Sequence, residues 1–280
     1  MSRTKLGIEI KKFFITCFIL EFGHDIFIKK GLLTIRRLLR DREKGAKEED
    51  ALPFSLFRPE KPRILCYGDS NTWGYNPENG FRYPPKSRWP TVMKGNLPEG
   101  WTVIEEGLPG RTTVFDDPIT PFRKGAGFLS VLLEAHIPLD LIIIMLGTND
   151  TKSRFSACAY DIGLGLGVLV DEVRGFPFGV RGENAPGILI VSPPPILPVQ
   201  GISESFIGAP EKSKHFAEVF RKVAEKKDCL FFDSGQVISS SPIDGLHFSA
   251  ESHKDLGRAL AQYLTSIFQE RTSYGHSFDR

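Results

Sequence analysis

Hydrophobic and polar residues fall into alternating blocks from residue 63 onward, and these blocks predict strands and helices in turn. Short apolar runs bounded by Gly or Pro are typical of buried strands, whereas apolar residues three or four positions apart are typical of helices. The predicted strands are 63–67, 101–106, 140–146, 187–192 and 229–232. The predicted helices lie near 87–96, 125–136, 158–174, 211–227 and 251–268. Such alternation predicts an α/β fold with a parallel sheet and helices on both faces.

The third predicted strand indicates the centre of the sheet. Every residue from Leu141 to Leu146 is apolar, as expected for a strand that is covered on both faces. Pro193, Pro194 and Pro195 follow the fourth strand, and they end it because proline cannot donate to a strand ladder. Residues 61–270 are therefore predicted to form the main domain.

Residues 1–60 follow a different pattern, in which basic residues flank short apolar segments. The apolar run from Phe13 to Leu20 has eight residues, well short of the roughly 20 that a membrane-spanning helix needs. A basic segment before an apolar one is compatible with a secretory signal, but no small-residue cleavage site follows Leu20.

Apolar residues at helical spacing, such as Leu6, Ile10 and Phe13, predict two amphipathic helices in this extension. Helices of this kind either lie on a membrane surface, here through residues 1–40, or pack on their own domain or a partner chain. The sequence leaves both open, and it leaves a homo-oligomer open as well. A charged linker is predicted at 41–50, and residues 271–280 are predicted to be a loose C-terminal tail.

Charge is distributed unevenly along the chain, although the net charge is only +2. Residues 1–47 carry 12 Lys and Arg against 5 Asp and Glu, and the remainder carries 24 against 29. The main domain is therefore mildly acidic. An enzyme that acts on nucleic acid is expected to carry a basic face, so the charge pattern argues against a nucleic-acid partner.

Cysteine and histidine spacing gives no sign of a metal site. The four cysteines are scattered with no Cys-x-x-Cys pair, and the six histidines show no ligand spacing. We expect no metal and no cofactor. Cys66 and Cys229 lie in apolar strand-like runs, so buried free thiols and a reducing, cytoplasmic location are predicted, with membrane association through the first 40 residues left open.

Ser70 lies just beyond the end of the first predicted strand. The segment 63–67 is apolar, Gly68 breaks it, and Asp69 and Ser70 come next. Functional residues of α/β folds gather outside the carboxyl ends of the strands, which makes Ser70 a candidate nucleophile. Gly-Asp-Ser is also common in ordinary surface turns, so this motif alone does not decide between the two.

Three further loops carry polar groups at corresponding positions. Residues 106–113 contain two glycines around a proline, which leave backbone N–H groups unobstructed, although a plain turn would also explain them. Residues 147–150 follow the third strand and contain Asn149, which could equally cap a helix. Asp244 stands three residues before His247, a spacing that lets a carboxylate orient an imidazole. Together the four loops supply a nucleophile, a base, its orienting carboxylate and anion-stabilising donors, as acyl transfer requires.

Four blocks in this order resemble those of the SGNH (GDSL) hydrolase family, namely Gly68-Asp69-Ser70, Gly110, Gly147-Thr148-Asn149-Asp150 and Asp244-x-x-His247. Longer stretches resemble its arylesterase/acyltransferase branch: Val103–Leu108, Arg111–Thr113, Met145–Lys152 and Val191–Pro195. The resemblance covers roughly residues 62–268. It implies a flavodoxin-like three-layer α/β/α sandwich with a five-stranded parallel sheet.

The resemblance also implies a role for each matching residue. Ser70 is the expected nucleophile, His247 the general base and then acid, and Asp244 the residue that orients His247. The expected oxyanion hole consists of the backbone N–H groups of Ser70 and Gly110 and the side-chain amide of Asn149. Asp69 is interpreted as a turn residue whose side chain points away from the cleft.

Two positions depart from the acyltransferase branch and bear on the substrate. Asn71 follows the nucleophile where that branch has an apolar residue, and Gly110 stands where it often has a non-glycine. Asn71 and Trp73 are predicted to contact the substrate. Aromatic residues between 73 and 89 either wall an acyl or alcohol pocket or pack in the core, namely Trp73, Tyr75, Phe81, Tyr83 and Trp89.

The predicted function is that of a serine esterase or acyltransferase acting on small carboxylic esters through an acyl-enzyme. The predicted partners are a small-molecule ester and a water or alcohol acceptor. Within the same family, the alternatives are a carbohydrate acetylesterase and a lysophospholipase-type lipid esterase. A non-catalytic binding scaffold is the rival from another class, but the residues it would be expected to lack, Ser70, Asn149 and His247, are all present.

Overall fold

The first apolar run forms β1, Arg63–Gly68, which lies inside the sheet of this computed structural model. The structure describes residues 62–178, 185–200 and 202–275, with the backbone alone for 269–275. The other strands are β2 (Thr102–Gly107), β3 (Leu141–Met145), β4 (Gly187–Ser192) and β5 (Leu230–Asp233). Each of the five predicted strands is present, with ends shifted by at most one residue.

The five strands form one parallel sheet in the order β2-β1-β3-β4-β5. β1 pairs with β2 on one side and with β3 on the other, so the direction of winding reverses next to β1. Ligands of open α/β sheets bind at such a switch point, outside the carboxyl ends of the strands. The loops after β1 and β3 meet at this place.

Seven α-helices connect or follow the strands in the described part of the chain. They are α1 (Ser70–Trp73), α2 (Trp89–Asn96), α3 (Phe128–His136), α4 (Ala159–Gly175), α5 (Ala209–Ser213), α6 (Phe216–Lys226) and α7 (Ala250–Gly275). Among these residues, no helix is long and apolar enough to cross a membrane.

The helices cover both faces of the sheet. In β1, Leu65 and Tyr67 pack with α3, α4 and α6, whereas Ile64 and Cys66 pack with α2 and α7. Successive side chains of a strand point to opposite faces, which explains why an uninterrupted apolar strand needs two helical layers. The predicted three-layer α/β/α sandwich with a five-stranded parallel sheet is confirmed.

The helix boundaries differ from the prediction in three places. The predicted helix 211–227 is divided into α5 and α6, because the His215 N–H bonds to the Lys212 carbonyl and tightens the chain there. α3 begins only at Phe128, because Gly127 has a φ of +88° and is not helical. α7 continues to Gly275, because no proline or glycine interrupts residues 258–274.

Some predictions concern residues that the structure does not describe. The amphipathic helices, the linker and the boundary near residue 60 lie outside the described residues, as do residues 276–280 of the predicted tail. Residues 271–275 of that tail belong to α7. The domain limits stay predictions.

Candidate active site

Ser70 lies at the first position of α1, immediately beyond the carboxyl end of β1. Asp69 caps this helix, since its Oδ1 accepts a hydrogen bond of 2.9 Å from the Asn71 N–H. Gly68 allows the helix to start so close to the strand, because a Cβ there would lie 2.0 Å from Thr72 Oγ1 and 2.9 Å from the Met145 carbonyl. The sharp turn leaves Ser70 largely buried, with 7% of its surface exposed.

Ser70, His247 and Asp244 form a continuous hydrogen-bonded chain. The His247 Nε2 lies 2.9 Å from Ser70 Oγ, and the His247 Nδ1 lies 2.6 Å from Asp244 Oδ2. His247 is thus within hydrogen-bond reach of both Ser70 and Asp244, although Ser70 and His247 are 177 positions apart. This is the geometry of an activated serine, in which an imidazole can take the hydroxyl proton while a carboxylate orients it.

The Asp244 carboxylate is fixed by backbone as well as by His247. Its Oδ1 accepts hydrogen bonds of 3.0 Å from the N–H groups of Leu246 and His247. Burial alone would raise the pKa of Asp244, but the hydrogen bonds from His247 and Leu246 outweigh it and hold this pKa below its usual value. Asp244 is therefore ionised at neutral pH and accepts a hydrogen bond from the N–H at His247 Nδ1, which leaves Nε2 to face Ser70.

Asn149 stands beside the turn that contains Gly110. It follows β3 and is 5% exposed, and its Nδ2 donates to the Arg111 carbonyl at 3.1 Å and to Asp69 Oδ2 at 3.3 Å. Gly110 has a φ of +83°, a conformation that residues with a Cβ rarely adopt. The structure thus brings the loops after β1, β2 and β3 together, with Ser70, Gly110 and Asn149 one on each.

Arg111 joins the ends of β1 and β2. Its guanidinium donates to the Gly68 carbonyl at 2.8 Å and to the Glu106 carbonyl, and it lies over the Tyr67 ring with 4.1 Å to the centroid. Arg111 is 5% exposed, so these contacts satisfy a charge that is almost removed from water. They fix the turn that carries Gly110.

Asp69 and Asp150 are two buried carboxylates near Asn149: Asp69 contacts its amide, and Asp150 is the next residue in the chain. Burial is the main cause that raises the pKa of each to about 6. Asp150 Oδ1 accepts from both the N–H and the hydroxyl of Thr113, whereas its Oδ2 has no hydrogen-bond partner among the described residues. Asp150 thereby ties the β3 loop to the β2 loop.

The interpretation of Asp69 as a turn residue was incomplete. Besides capping α1, its carboxylate contacts the Asn149 amide and so takes part in the site. Nothing in the local sequence distinguishes these two uses, because the partner lies 80 positions away.

Asn71 and Trp73 lie close to Ser70 in different settings. Asn71 is 2% exposed, and its Nδ2 donates to the Leu246 carbonyl at 3.2 Å, next to His247. Trp73 is half-buried, and the Arg82 guanidinium lies 5.2 Å from its ring centroid. Contact of either residue with a substrate stays a prediction.

The other aromatic residues of the segment 73–89 have separate roles. Trp89 is 1% exposed and belongs to the core beneath α2 and α7, so it does not line the cleft. Phe81 is 74% exposed. The Tyr75 ring stacks on His247, with 4.0 Å between ring centroids and 30° between the planes. This last contact is a feature of the site that the sequence did not reveal.

The loop after Pro195 is linked to the loop that carries His247. The Leu197 N–H donates to the Gly245 carbonyl at 2.9 Å, and the loop after Pro195 packs on Leu246 through Ile196 and Phe206. This packing places a hydrophobic cluster directly behind the loop that carries His247.

A buried ion cluster connects the 113–125 loop to the segment after Asn149. The Asp117 side chain is fully buried and pairs with Lys152 Nζ at 3.3 Å and with Arg154 Nη1 at 2.8 Å. Arg154 Nη2 also donates to Ser205 Oγ at 3.0 Å, in the loop that follows Pro195. Three loops near the site therefore depend on one carboxylate.

Two further features concern possible metal ligands and a cavity away from the triad. Within the described residues, no three His, Cys, Asp or Glu side chains are grouped so that they could hold a metal ion. A cavity of about 580 Å³ is lined by residues of the segment 116–131, and none of the triad residues belongs to its lining. The triad therefore does not depend on that cavity.

The sequence of this chain is similar to a known family. Residues 66–254 match the "GDSL-like Lipase/Acylhydrolase family". The matched segment contains Ser70, Gly110, Asn149, Asp244 and His247. A comparison with curated protein sequences found no significant match.

Solved structures of esterases have the same fold and substantial sequence identity. The aryl esterase of Mycobacterium smegmatis is 45% identical, with a TM-score of 0.70; the match covers 73% of this chain and 99% of that one. Est24, a carbohydrate acetylesterase from Sinorhizobium meliloti, is 41% identical, with a TM-score of 0.71; the match covers 74% of this chain and 100% of that one.

Proposed function

The chain belongs to the GDSL-like lipase/acylhydrolase family and is a carboxylic ester hydrolase, and from this premise we propose that it acts on small esters through an acyl-enzyme on Ser70. The observation that carries the proposal is the hydrogen-bonded chain in which His247 Nε2 lies 2.9 Å from Ser70 Oγ and His247 Nδ1 lies 2.6 Å from Asp244. That geometry and the chemistry of ester cleavage support the role proposed for each residue.

In the acylation step, Ser70 Oγ attacks the ester carbonyl carbon and its proton passes to His247 Nε2. The carbonyl oxygen becomes an oxyanion, which the N–H groups of Ser70 and Gly110 and the Asn149 amide stabilise. Such preorganised donors are each worth about 10²–10³ in rate. The carbon–oxygen bond to the alcohol then breaks, and His247 returns its proton to the leaving oxygen.

In the second step, water or an alcohol attacks the acyl-enzyme and gives its proton to His247. A second oxyanion forms and collapses, the bond to Ser70 Oγ breaks, and His247 restores the serine hydroxyl. Asp244, ionised and held by two backbone N–H groups, stabilises the imidazolium in both steps. The products are an acid when water is the acceptor and a new ester when an alcohol is.

We take acetyl and other short acyl esters of simple alcohols or phenols as the substrate class. The similarity to the M. smegmatis aryl esterase supports this choice. An acetylated carbohydrate is a second candidate, which the similarity to Est24 supports. The loop after Pro195 packs on the His247 loop and is expected to limit the acyl pocket. Activity should fall beyond about four to six acyl carbons, because each misplaced methylene forfeits ~0.8 kcal/mol of burial.

The decisive experiment labels the pure protein with a fluorophosphonate and maps the adduct by mass spectrometry. We expect one adduct, on Ser70, and none in Ser70→Ala. An adduct on another residue would overturn the mechanism. Hydrolysis of nitrophenyl acetate, an acetylated sugar and a lysophospholipid by the same preparation then separates the substrate classes, and a rate that rises toward long acyl chains would favour a lipid esterase.

Membrane contact through residues 1–40 and self-association stay predictions of the sequence. The segment lies outside the described residues. Co-sedimentation of the full chain with vesicles of neutral and of anionic lipid, with a variant lacking residues 1–40 as control, tests the first. Light scattering of the full chain tests the second.

A further inference from the structure

The face of the His247 imidazole is covered by the ring of Tyr75. The ring centroids are 4.0 Å apart and the planes are inclined by 30°, so the two rings are stacked rather than edge to face. The two nitrogens at the edge of the imidazole already bond to Ser70 and Asp244. Tyr75 therefore contacts a face of the ring, which the hydrogen bonds of the triad leave open.

The backbone of Tyr75 is fixed to the nucleophile. The N–H groups of Gly74 and Tyr75 both donate to the Ser70 carbonyl, at 2.9 and 3.0 Å. Gly74 closes α1 in the left-handed conformation, with a φ of +91°, and so turns the chain back toward Ser70. The position of Tyr75 is thus set by the residue that carries the reacting hydroxyl.

A second segment holds Tyr75 from the other side. Tyr75 forms an antiparallel bridge with Arg82, and the Tyr83 N–H donates to the Gly74 carbonyl at 2.7 Å. The Asn76 N–H donates to the Phe81 carbonyl at 2.9 Å, which closes the loop 76–81. These contacts fix the backbone of Tyr75 on both sides, at the position from which its ring reaches His247.

We infer that Tyr75 is a positioning residue of the proposed esterase: its ring face holds the His247 imidazole in the plane that joins Ser70 to Asp244 and stabilises the protonated imidazole during catalysis. The inference rests on the proposed function, because only ester cleavage requires His247 to gain and lose a proton. The π face of an aromatic ring attracts a cation that lies within about 6 Å of it. A neutral imidazole gains less from the same contact, so the stack favours the state formed in the transition state.

Other ionisable groups also face His247 and must be considered with Tyr75. Asp244 lies on the same loop, Asp69 precedes α1, and His253 lies on α7 with Tyr83 and Arg88 next to it. Asp244 has a pKa below its usual value, and burial lowers the pKa of His253 to about 3, so neither changes charge near neutral pH. Asp69 has a pKa of about 6 and does change charge there. A pH experiment therefore needs a background without this carboxyl group.

The test compares Tyr75→Phe, Tyr75→Trp and Tyr75→Leu, with Leu as the variant of similar apolar character but without a ring. We expect Tyr75→Phe to retain activity and Tyr75→Leu to lose roughly 3- to 30-fold in kcat with KM changed less than about twofold. The acid limb of the kcat/KM profile reports deprotonation of the base. It should move to lower pH in Tyr75→Leu, because the protonated imidazole has lost a stabilising contact. A purely structural role would lower activity without moving the limb.

Two results would overturn the inference. One is a Tyr75→Leu variant with wild-type kcat and an unchanged limb, and the other is a Tyr75→Phe variant as impaired as Tyr75→Leu. Should a thermal melt show that Tyr75→Leu is unfolded, the other two variants decide. Tryptophan binds a cation on its ring face more strongly than phenylalanine, so the acid limb of Tyr75→Trp should lie at higher pH than that of Tyr75→Phe. An equal or reversed order contradicts the inference.

The series is repeated in Asp69→Asn, which removes the carboxyl group near His247 whose pKa is about 6. The order of the acid limbs should persist in that background. Failure of the inference can be told apart from failure of the proposed function. Without ester hydrolysis by the wild type and without a fluorophosphonate adduct on Ser70, the function itself fails. If the wild type hydrolyses esters and is labelled on Ser70, but the Tyr75 variants all have the same kcat and acid limb, only the proposed role of Tyr75 fails.

Discussion

The carboxylate of Asp69 holds the side-chain amide of Asn149, with 3.3 Å between Asp69 Oδ2 and Asn149 Nδ2. Asp69 directly precedes the proposed nucleophile, and Asn149 is a proposed donor of the oxyanion hole. The second contact of the same nitrogen is with the Arg111 carbonyl at 3.1 Å. Both N–H donors of the Asn149 amide are thus engaged by acceptors on the β1 and β2 loops in the free enzyme. An oxyanion has to replace one of these two acceptors, while the other keeps the amide oriented.

Asp69→Asn should lower kcat by about 10- to 100-fold with little effect on KM, because an amide at residue 69 would turn a donor toward the Asn149 amide and displace it. Steady-state kinetics on nitrophenyl acetate measure the effect. Asn149→Ala and the double variant complete a double-mutant cycle. Losses that simply multiply in the double variant would contradict the proposed coupling.

His247→Ala should reduce kcat by about 10⁴- to 10⁶-fold, since the triad acts as a unit. Asp244→Asn should have a milder or equal effect, because it disturbs the orientation of the imidazole more than the proton transfer. Circular dichroism and thermal melts establish that each variant is folded. A His247→Ala enzyme that kept a tenth of the wild-type activity would mean that another group is the base.

The stability of the folded domain should fall as pH rises from about 4 to about 6. Asp69 and Asp150 have folded-state pKa values raised to about 6, mainly by burial. Between these pH values the folded state therefore binds more protons than the unfolded state. At neutral pH each of the two carboxylates lowers the free energy of unfolding by up to roughly 3 kcal/mol. Denaturant unfolding at several pH values measures the slope.

Asp150→Asn should make the decrease of unfolding free energy with pH shallower. Asp116→Asn is the control for the loss of a negative charge, because the Asp116 side chain is 82% exposed. The prediction fails if both variants have the wild-type slope. It also fails if wild-type stability rises between pH 4 and 6.

Asp117→Asn should destabilise the domain by roughly 3 kcal/mol, because it leaves the charges of Lys152 and Arg154 without their buried partner. Burial opposes ionisation of Asp117, but hydrogen bonds from Ile119, Arg154, Thr120 and Lys152 lower its pKa to about 2. The stability that ionised Asp117 contributes should accordingly be present above pH 4 and be lost as pH falls toward 2. Thermal melts at pH 7 test the variant, with Asp116→Asn of the exposed pair with Lys124 as control. Equal melting temperatures for the two variants would refute the prediction.

Asn71→Leu should shift acyl transfer from water toward alcohol. The Oδ1 of Asn71 is buried near Ser70 and has no hydrogen-bond partner among the described residues, so it offers water a polar contact that leucine removes. A small alcohol competes with water at about 55 M only where the site favours it by position and by poor hydration. We expect partial transfer in the wild type and a larger share in the variant.

The ratio of ester to acid formed from vinyl acetate and benzyl alcohol in buffer measures this partition. Thr72→Val is the matched control, because Thr72 Oγ1 is another buried atom without a partner on the same short helix. A ratio that is the same in all three proteins would contradict the role of Asn71, and a ratio near zero in all three would describe a plain hydrolase.

The fold and the chain order of the site residues could be predicted from sequence patterns. Continuous apolar strands such as Leu141–Met145 can only be buried between two layers, and β/α alternation makes the sheet parallel, so local patterns fix the architecture. The loops at the carboxyl ends of parallel strands share one edge. The meeting of Ser70, Gly110 and Asn149 therefore followed from their positions after three successive strands.

The contacts between side chains of distant loops could not be predicted from the sequence and are seen only in the folded chain. Tyr75 on His247, Asp69 with Asn149, and Asp117 with Lys152 and Arg154 join residues that are 35 to 172 positions apart. A single sequence carries no periodic signal for such pairs, because an aromatic residue or a carboxylate in a loop has the same local pattern whether it packs on a neighbour or faces water. Trp89, which belongs to the core although it stands in the same aromatic segment as Tyr75, illustrates the point. Burial and distance exist only once the chain is folded.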